Sequence, residues 1–374
     1  MILTYDVGSL PFHGDIERYN KGLKIHPLST LLHHKEEGAE RAYFEDHVIQ
    51  SLVDKLNAGI SIPNYPQFQD MNEMFLNQID GITKTPKGYQ TIDRLSISEK
   101  KSTLPEIAVI REREREISEK THNPFTIKIC ITGPYTLTSL FVDRRGHLFK
   151  EFGEALTKFI DTNIFCTKFG RVALISIDEP VFGTFDDPLL DYGSNGREQL
   201  LVGWETICQK IKSKGMQSAI HLHNTTNDLF WQVKSLDIIE SHVHDSLYSS
   251  LKTAQYLKQS DKKLKASICL TDFNTLLMQH TILQGKTREI EIGQHVADEW
   301  TKIHRGEIQA TQFLEDTDVL LSRLQHIVHL YGDKVLYAGP ECGLKSFPTY
   351  ESAIECLRRV AQATDQFIST SDPY

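Results

Sequence analysis

Short apolar runs recur along the chain. Between them lie longer stretches in which apolar residues return every three or four positions. The runs predict strands at Leu3–Val7, Gly59–Pro63, Thr126–Ile131, Ala173–Ile177, Gln217–Leu222, Leu236–Glu240, Lys265–Leu270 and Val335–Ala338. The longer stretches predict helices over 43–57, 149–169, 197–214, 225–234, 247–258 and 350–368. In the second of these, Phe152, Leu156, Ile160 and Ile164 fall four apart and make one apolar face. Strands that alternate with helices pair in parallel through crossover helices. Eight such units predict a single (β/α)8 barrel over residues 1–374, with an open sheet of similar size as the alternative. Two segments read as insertions. Residues 82–125, after the second strand, open with a hairpin candidate, TKTPKGYQ, and continue into IREREREISEK, a solvated helix face. Residues 273–330, after the seventh strand, read as two or three helices.

With 374 residues, 40% of them apolar, the chain can bury a large core. Acidic residues outnumber basic ones by 50 to 41, for a net charge of −9, which argues against a nucleic-acid binder. No run approaches the ~18 apolar residues of a membrane span, and MILTYDVGSLPF has neither the basic start nor the apolar run of a secretory signal. The six cysteines, Cys130, Cys166, Cys208, Cys269, Cys342 and Cys356, are scattered. That usage fits a reducing cytoplasm better than a disulfide framework.

Most unusual polar residues come at the C-terminal ends of the expected strands, which form the active-site face of such a barrel. The first strand ends in Gly8-Ser9, whose backbone N–H groups suit a carboxylate or simply make a tight turn. Gly133-Pro134 after the third breaks the strand and starts a helix. The fourth ends Asp178-Glu179-Pro180. Carboxylates at the end of an apolar strand must reach solvent, a cation or a substrate, and an ammonium group of a ligand would suit Asp178. The alternative is a helix cap. After the fifth come His221 and His223, which strand alternation places on one face. The sixth ends Ile239-Glu240-Ser241-His242-Val243-His244-Asp245, and the eighth leads into Gly339-Pro340-Glu341-Cys342-Gly343. A cysteine between loop glycines lies outside any apolar periodicity. Histidine, glutamate and cysteine from three neighbouring ends suit a borderline-soft ion, of which zinc is the natural candidate.

Taken in order, GSLP, TGPYTL, IDEP, HLH, IESHVHD and GPECGLKSFPTYESAIECL resemble the catalytic barrel of cobalamin-independent methionine synthase. The resemblance runs from Leu3 to about Ala363, and the chain is similar in build to the short, single-barrel core enzymes. It implies a zinc site that binds the thiol of homocysteine and moves a methyl group to it. By motif, Cys342 matches a zinc cysteine and Glu240 the zinc glutamate; a register shift of two puts His242 there instead. Gly8 and Ser9 match the loop that holds the amino-acid carboxylate, and Asp178 matches the aspartate that binds the amino group.

Two departures from the family stand out. A zinc-binding His-x-Cys pair is expected after strand five, but this chain has no cysteine there. Either His221 and His223 fill both places, which imidazole chemistry favours, or His223 and Thr225 do. The expected zinc set is therefore His221, His223, Glu240 and Cys342. The long enzymes also carry a histidine acid after strand seven, where this chain reads Leu270-Thr271-Asp272-Phe273-Asn274. The resemblance to the short form then implies methylcobalamin or a methylated corrinoid protein as donor, rather than methyl-folate. The alternatives are a related barrel that methylates another thiol such as coenzyme M, a metal-free decarboxylase of the uroporphyrinogen type, against which Cys342 argues, and a degenerate barrel that only binds an amino acid or a corrinoid partner.

Overall fold

The computed structural model describes residues 2–25, 35–285 and 288–370, so positions 286 and 287 of the second expected insertion lie outside it. The strands are β1 (Leu3–Thr4), β2 (Asp80–Thr85), β3 (Gly88–Ser96), β4 (Phe125–Thr132), β5 (Gly170–Glu179), β6 (Gln217–Leu222), β7 (Ile238–Glu240), β8 (Lys263–Cys269) and β9 (Val335–Pro340). The helices begin with α1 (Ile16–Ile25), α2 (Lys35–Asn57), α3 (Glu73–Leu76), α4 (Pro105–Glu112), α5 (Glu114–Thr121) and α6 (Pro134–Ser139). They continue with α7 (His147–Asn163), α8 (Asn195–Ser213), α9 (Leu251–Gln259), α10 (Phe273–Leu283), α11 (Glu289–His304), α12 (Thr317–Tyr331) and α13 (Tyr350–Thr370).

Seven strands form one parallel sheet in the order β1-β9-β8-β7-β6-β5-β4. The expected closed eight-stranded barrel is corrected here: Gly59–Pro63 makes no regular strand. Instead it bridges the two edges of the curled sheet with a few bonds. Ile62 N donates to Thr4 O (2.9 Å) on one side; on the other, Lys128 N donates to Pro63 O (2.9 Å) and Tyr65 N to Lys128 O (3.2 Å). The physical reason is local. Ser61 Oγ accepts from Thr4 N (3.2 Å) and Thr4 Oγ1 accepts from Ser61 N (2.9 Å), so side chains replace ladder bonds. Pro63 has no N–H to give.

Both expected insertions contain the elements read from their pattern. β2 and β3 pair antiparallel around the turn at Pro86-Lys87, and the charged stretch forms α4 and α5. The second insertion holds α10, α11 and α12. Three helix expectations shorten, among them 247–258, whose helix begins at Leu251 after a separate 3-10 turn at Ser246–Tyr248. Residues 149–169 stop at Asn163, and 225–234 reduces to one 3-10 turn at Leu229–Gln232. α7 and α8 cover one face so closely that a Cβ on Gly153 would stand 2.5 Å from the Gly203 Cα.

Every second strand residue points inward, which stacks the interior in levels. At the lowest level Tyr5, Ile62, Leu174, Ala219, Ile238 and Tyr337 form a small buried apolar cluster. One level up are Lys128, Ser176, His221, Glu240 and Lys265, all buried. Beyond them the strand ends open into the mouth.

Candidate metal centre

The pairing register sets the site. Asp178 on β5 lies opposite His221 on β6, and His221 lies opposite Glu240 on β7. His223 and His242 come two residues later along the same inward parity. From β9, Cys342 follows two residues after Pro340.

One donor atom from each of His221, His223, His242 and Cys342 lies within 4.8 Å of the other three. The His223 and His242 rings are 4.0 Å apart between centroids, and His223 Nε2 is 3.5 Å from Cys342 Sγ. Of the two registers open in the sequence, the structure brings in His242. Glu240 is not in the group. It lies on the level of His221, one below His223 and His242, with Oε2 2.6 Å from Lys265 Nζ and 3.7 Å from His221 Nδ1, and both acid and lysine are fully buried. The Thr225 hydroxyl donates to Asp245.

Electrostatics prepare the donors. Burial pushes the His223 imidazole down to about 4, helped by the cation at His221, so its lone pair is free at neutral pH. Burial lowers His242 in the same direction. Burial also opposes charge on His221, but the Cys342 thiolate and the Glu240 carboxylate outweigh it and lift the ring to about 10. For Cys342, burial raises the thiol, yet the flanking His221 and His242 bring it down to about 6. Without metal the cluster therefore holds a thiolate beside an imidazolium, and a metal ion would displace that proton.

The residues fit a zinc ion. The ring nitrogens of His221 and Nε2 of His242 are buried with no hydrogen-bond partner. A tetrahedral ion with bonds of ~2.0–2.3 Å needs its donors roughly 3.3–3.8 Å apart, a short move from what is seen. Three imidazoles and a thiolate are ordinary zinc ligands.

Around this cluster stand the other residues expected from the sequence. Asp178 accepts hydrogen bonds from Cys130 Sγ (2.7 Å) and Ser176 Oγ (3.0 Å). Gly8 has φ +145° and packs so tightly that a Cβ would lie 2.3 Å from Asn64 Nδ2 and 2.4 Å from Gln67 Oε1. Ser9 touches the cysteine loop: Leu344 N donates to Ser9 O (2.9 Å), and a Cβ on Gly343 would be 2.0 Å from Ser9 Oγ. Gln67 Nε2 reaches Cys130 Sγ at 3.8 Å, so contacts run from Gly8 to Asp178.

The sequence reading missed Cys130, Ser176, Gln67, Glu341 and Lys265. Glu341 is buried and accepts from Val243 N and Thr271 N, both at 2.9 Å, tying three strand-end loops together. Ser176 and Lys265 had a signal: each is a polar residue at inward parity in an apolar run. Cys130 and Gln67 had none, because their roles exist only across strands.

No protein-family model matches the chain, and no curated protein matches its sequence. Solved structures do. A B12-independent methionine synthase from Shewanella sp. W3-18-1 in complex with selenomethionine superposes with a TM-score of 0.58 at 16% identity, covering 99% of this chain and 98% of that one. A protein from Listeria monocytogenes provisionally named a vitamin-B12 independent methionine synthase gives 0.57 at 15% identity, with 98% of each chain covered. At such identities the likeness is one of fold, and it extends over the whole chain. No helix among the described residues is long and apolar enough to cross a membrane.

Proposed function

We propose that the chain is a zinc-dependent methyltransferase that moves a methyl group to the thiol of homocysteine to give methionine. One observation carries the reading: four zinc-type donors, one on β6 and the others just past the ends of β6, β7 and β9, meet within 4.8 Å at the mouth of the sheet. The fold shared with two proteins named as B12-independent methionine synthases supports it. His221, His223, His242 and Cys342 would hold the ion. A bound zinc ion would supply Lewis acidity, and because one thiolate cancels only one of its charges it would draw an incoming thiol well below its ordinary pKa of ~8.5.

This chain's residues do the rest by positioning. Asp178 takes the amino group, its carboxylate oriented by Cys130 and Ser176. The backbone of Gly8 and Ser9 takes the carboxylate, braced against Gly343 beside the metal cysteine. The sulfur end of the amino acid is thereby directed at the cluster. For the donor we propose methylcobalamin or a methylated corrinoid protein. That choice rests on the family resemblance and on the loop after β8, where Asp272 caps α10 and no histidine acid is present.

Metal analysis of protein purified without chelator, followed by methyl transfer from methylcobalamin to a panel of thiols, tests the proposal. The expected result is one zinc per chain and methionine from homocysteine. Protein that carries no metal and gains none on adding zinc would sink it. Transfer to coenzyme M alone would correct the acceptor.

A further inference from the structure

Lys265 has no solvent exposure, and its ammonium makes three contacts. It is 2.6 Å from Glu240 Oε2, and it donates to Pro340 O (2.5 Å) and Ser267 Oγ (3.3 Å). Glu240 in turn faces His221 Nδ1 at 3.7 Å, and that nitrogen has no hydrogen-bond partner. Pro340 lies two residues before Cys342. One buried cation thus contacts the support of one proposed ligand and the strand that carries another.

We infer that Glu240 and Lys265 are positioning residues for the proposed metal centre: Lys265 holds the Glu240 carboxylate off the metal and against the Nδ1 edge of His221, and through the Pro340 carbonyl it fixes the strand end that carries Cys342. The inference rests on the zinc reading above. Three physical arguments carry it. The first is depth. A strand rises ~3.3 Å per residue, so Glu240 starts about 7 Å below His242; it shares the level of His221, opposite which it lies, and meets that ring on its Nδ1 edge. The second is charge. Moving the carboxylate to the metal would strand a fully buried ammonium, which is strongly unfavourable. The third is the tautomer. A neutral imidazole carries one N–H. With that hydrogen on Nδ1 and directed at Glu240, the lone pair sits on Nε2 and faces the cluster. The 3.7 Å gap is long for a hydrogen bond and would close when His221 turns onto an ion.

Metal affinity of the full chain tests this, with zinc by competition against a chromophoric chelator and with cobalt(II) by its visible spectrum. Glu240→Gln is expected to keep one metal per chain and the thiolate-to-cobalt charge-transfer band, while binding zinc about 10–100-fold more weakly. Lys265→Met should lose a similar factor. The double variant should lose no more than either single one, because the pair acts as a unit. The double variant also removes both buried charges together, so it keeps the test open where a single variant fails to fold. Affinity in the double variant within about twofold of wild type would overturn the inference. So would loss of the metal, or a changed cobalt coordination, in folded Glu240→Gln, because Glu240 would then be a ligand. Wild-type protein that takes up neither metal overturns the zinc reading and this inference with it. Failure of the positioning role alone leaves zinc in the wild type.

Discussion

At Cys342 a thiol meets three imidazoles, and that one residue supplies the only negative charge among the proposed donors. Cys342→Ser should therefore weaken zinc more than the ~100-fold expected for loss of an outer partner. Thr225→Ala should leave zinc content unchanged, because the hydroxyl is engaged by Asp245. Metal titration of both variants checks the pair, and loss of zinc from Thr225→Ala would favour the register in which His223 and Thr225 fill the two places. Asp178 makes a second residue-scale prediction. Asp178→Asn removes a charge-assisted partner for an amine, at about 1.5–3 kcal/mol, or roughly 10–150-fold in amino-acid affinity. Zinc content should not change. Unaltered affinity in a binding titration would remove Asp178 from the substrate site. At this scale the sequence exposed the histidines and Cys342 through their parity and their loop setting. It put Glu240 in the set with His242 as the alternative, since a choice between them needs the position of Lys265 on another strand.

The element that frames the mouth is α6, and its start is built around one buried carboxylate. Glu179 accepts from Tyr135 N (2.9 Å), Thr136 N (2.7 Å), Thr136 Oγ1 (2.7 Å) and Trp204 Nε1 (2.8 Å). Gly133 permits the approach, for a Cβ there would lie 2.2 Å from the carboxyl carbon. The IDEP and TGPYT motifs are thus two halves of one helix cap, which separate inspection of each motif does not disclose. Burial lifts Glu179 to about 7 against the pull of its four donors. A carboxyl raised above its unfolded value contributes stability that is present below pH ~4.5 and lost as the pH rises through about 7. Glu179→Gln cannot titrate. The stability gap between wild type and this variant should therefore shift against wild type by up to about 3 kcal/mol across that window. Urea midpoints of both proteins at pH 4.5 and 7.5 check it, and parallel pH profiles would contradict it. Element interiors were legible because buried parallel strands are continuous apolar runs, as in Gln217–Leu222. Ends were not. α7 stops at Asn163, whose amide donates to Ser102 O (2.7 Å) and Phe159 O (2.8 Å), a long-range partnership with no sequence pattern.

For the molecule as a whole, the decisive feature is the seam at residues 60–65, where a counted strand proved to be an irregular bridge. Hydrophobicity alone could not reveal this, since Ile60 and Ile62 are as buried as strand residues. What distinguishes the segment is its polar anchoring. The buried Lys55 ammonium donates to Asp6 Oδ2 (2.7 Å), Gly8 O (2.9 Å) and Asn64 O (3.1 Å), while Asn64 N donates to Asp6 Oδ1 (2.7 Å). A single side chain of α2 thereby ties the seam to the Gly8–Ser9 loop. Removing one partner of a buried pair leaves the other charge uncompensated, at roughly 3–5 kcal/mol. Lys55→Met should destabilise the chain by about that much, with amide exchange rising first at residues 3–9 and 60–65. It should also weaken amino-acid binding, because Gly8 loses its anchor. Zinc binding should fall less than amino-acid binding, since the Lys55 ammonium bonds to Asp6, Gly8 and Asn64 and reaches the cysteine loop through the Gly8–Ser9 loop. Exchange that rises uniformly over all strands would mean that the seam is no separate unit, and zinc lost in step with the amino acid would mean that the loop and the metal cluster are held by the same contacts.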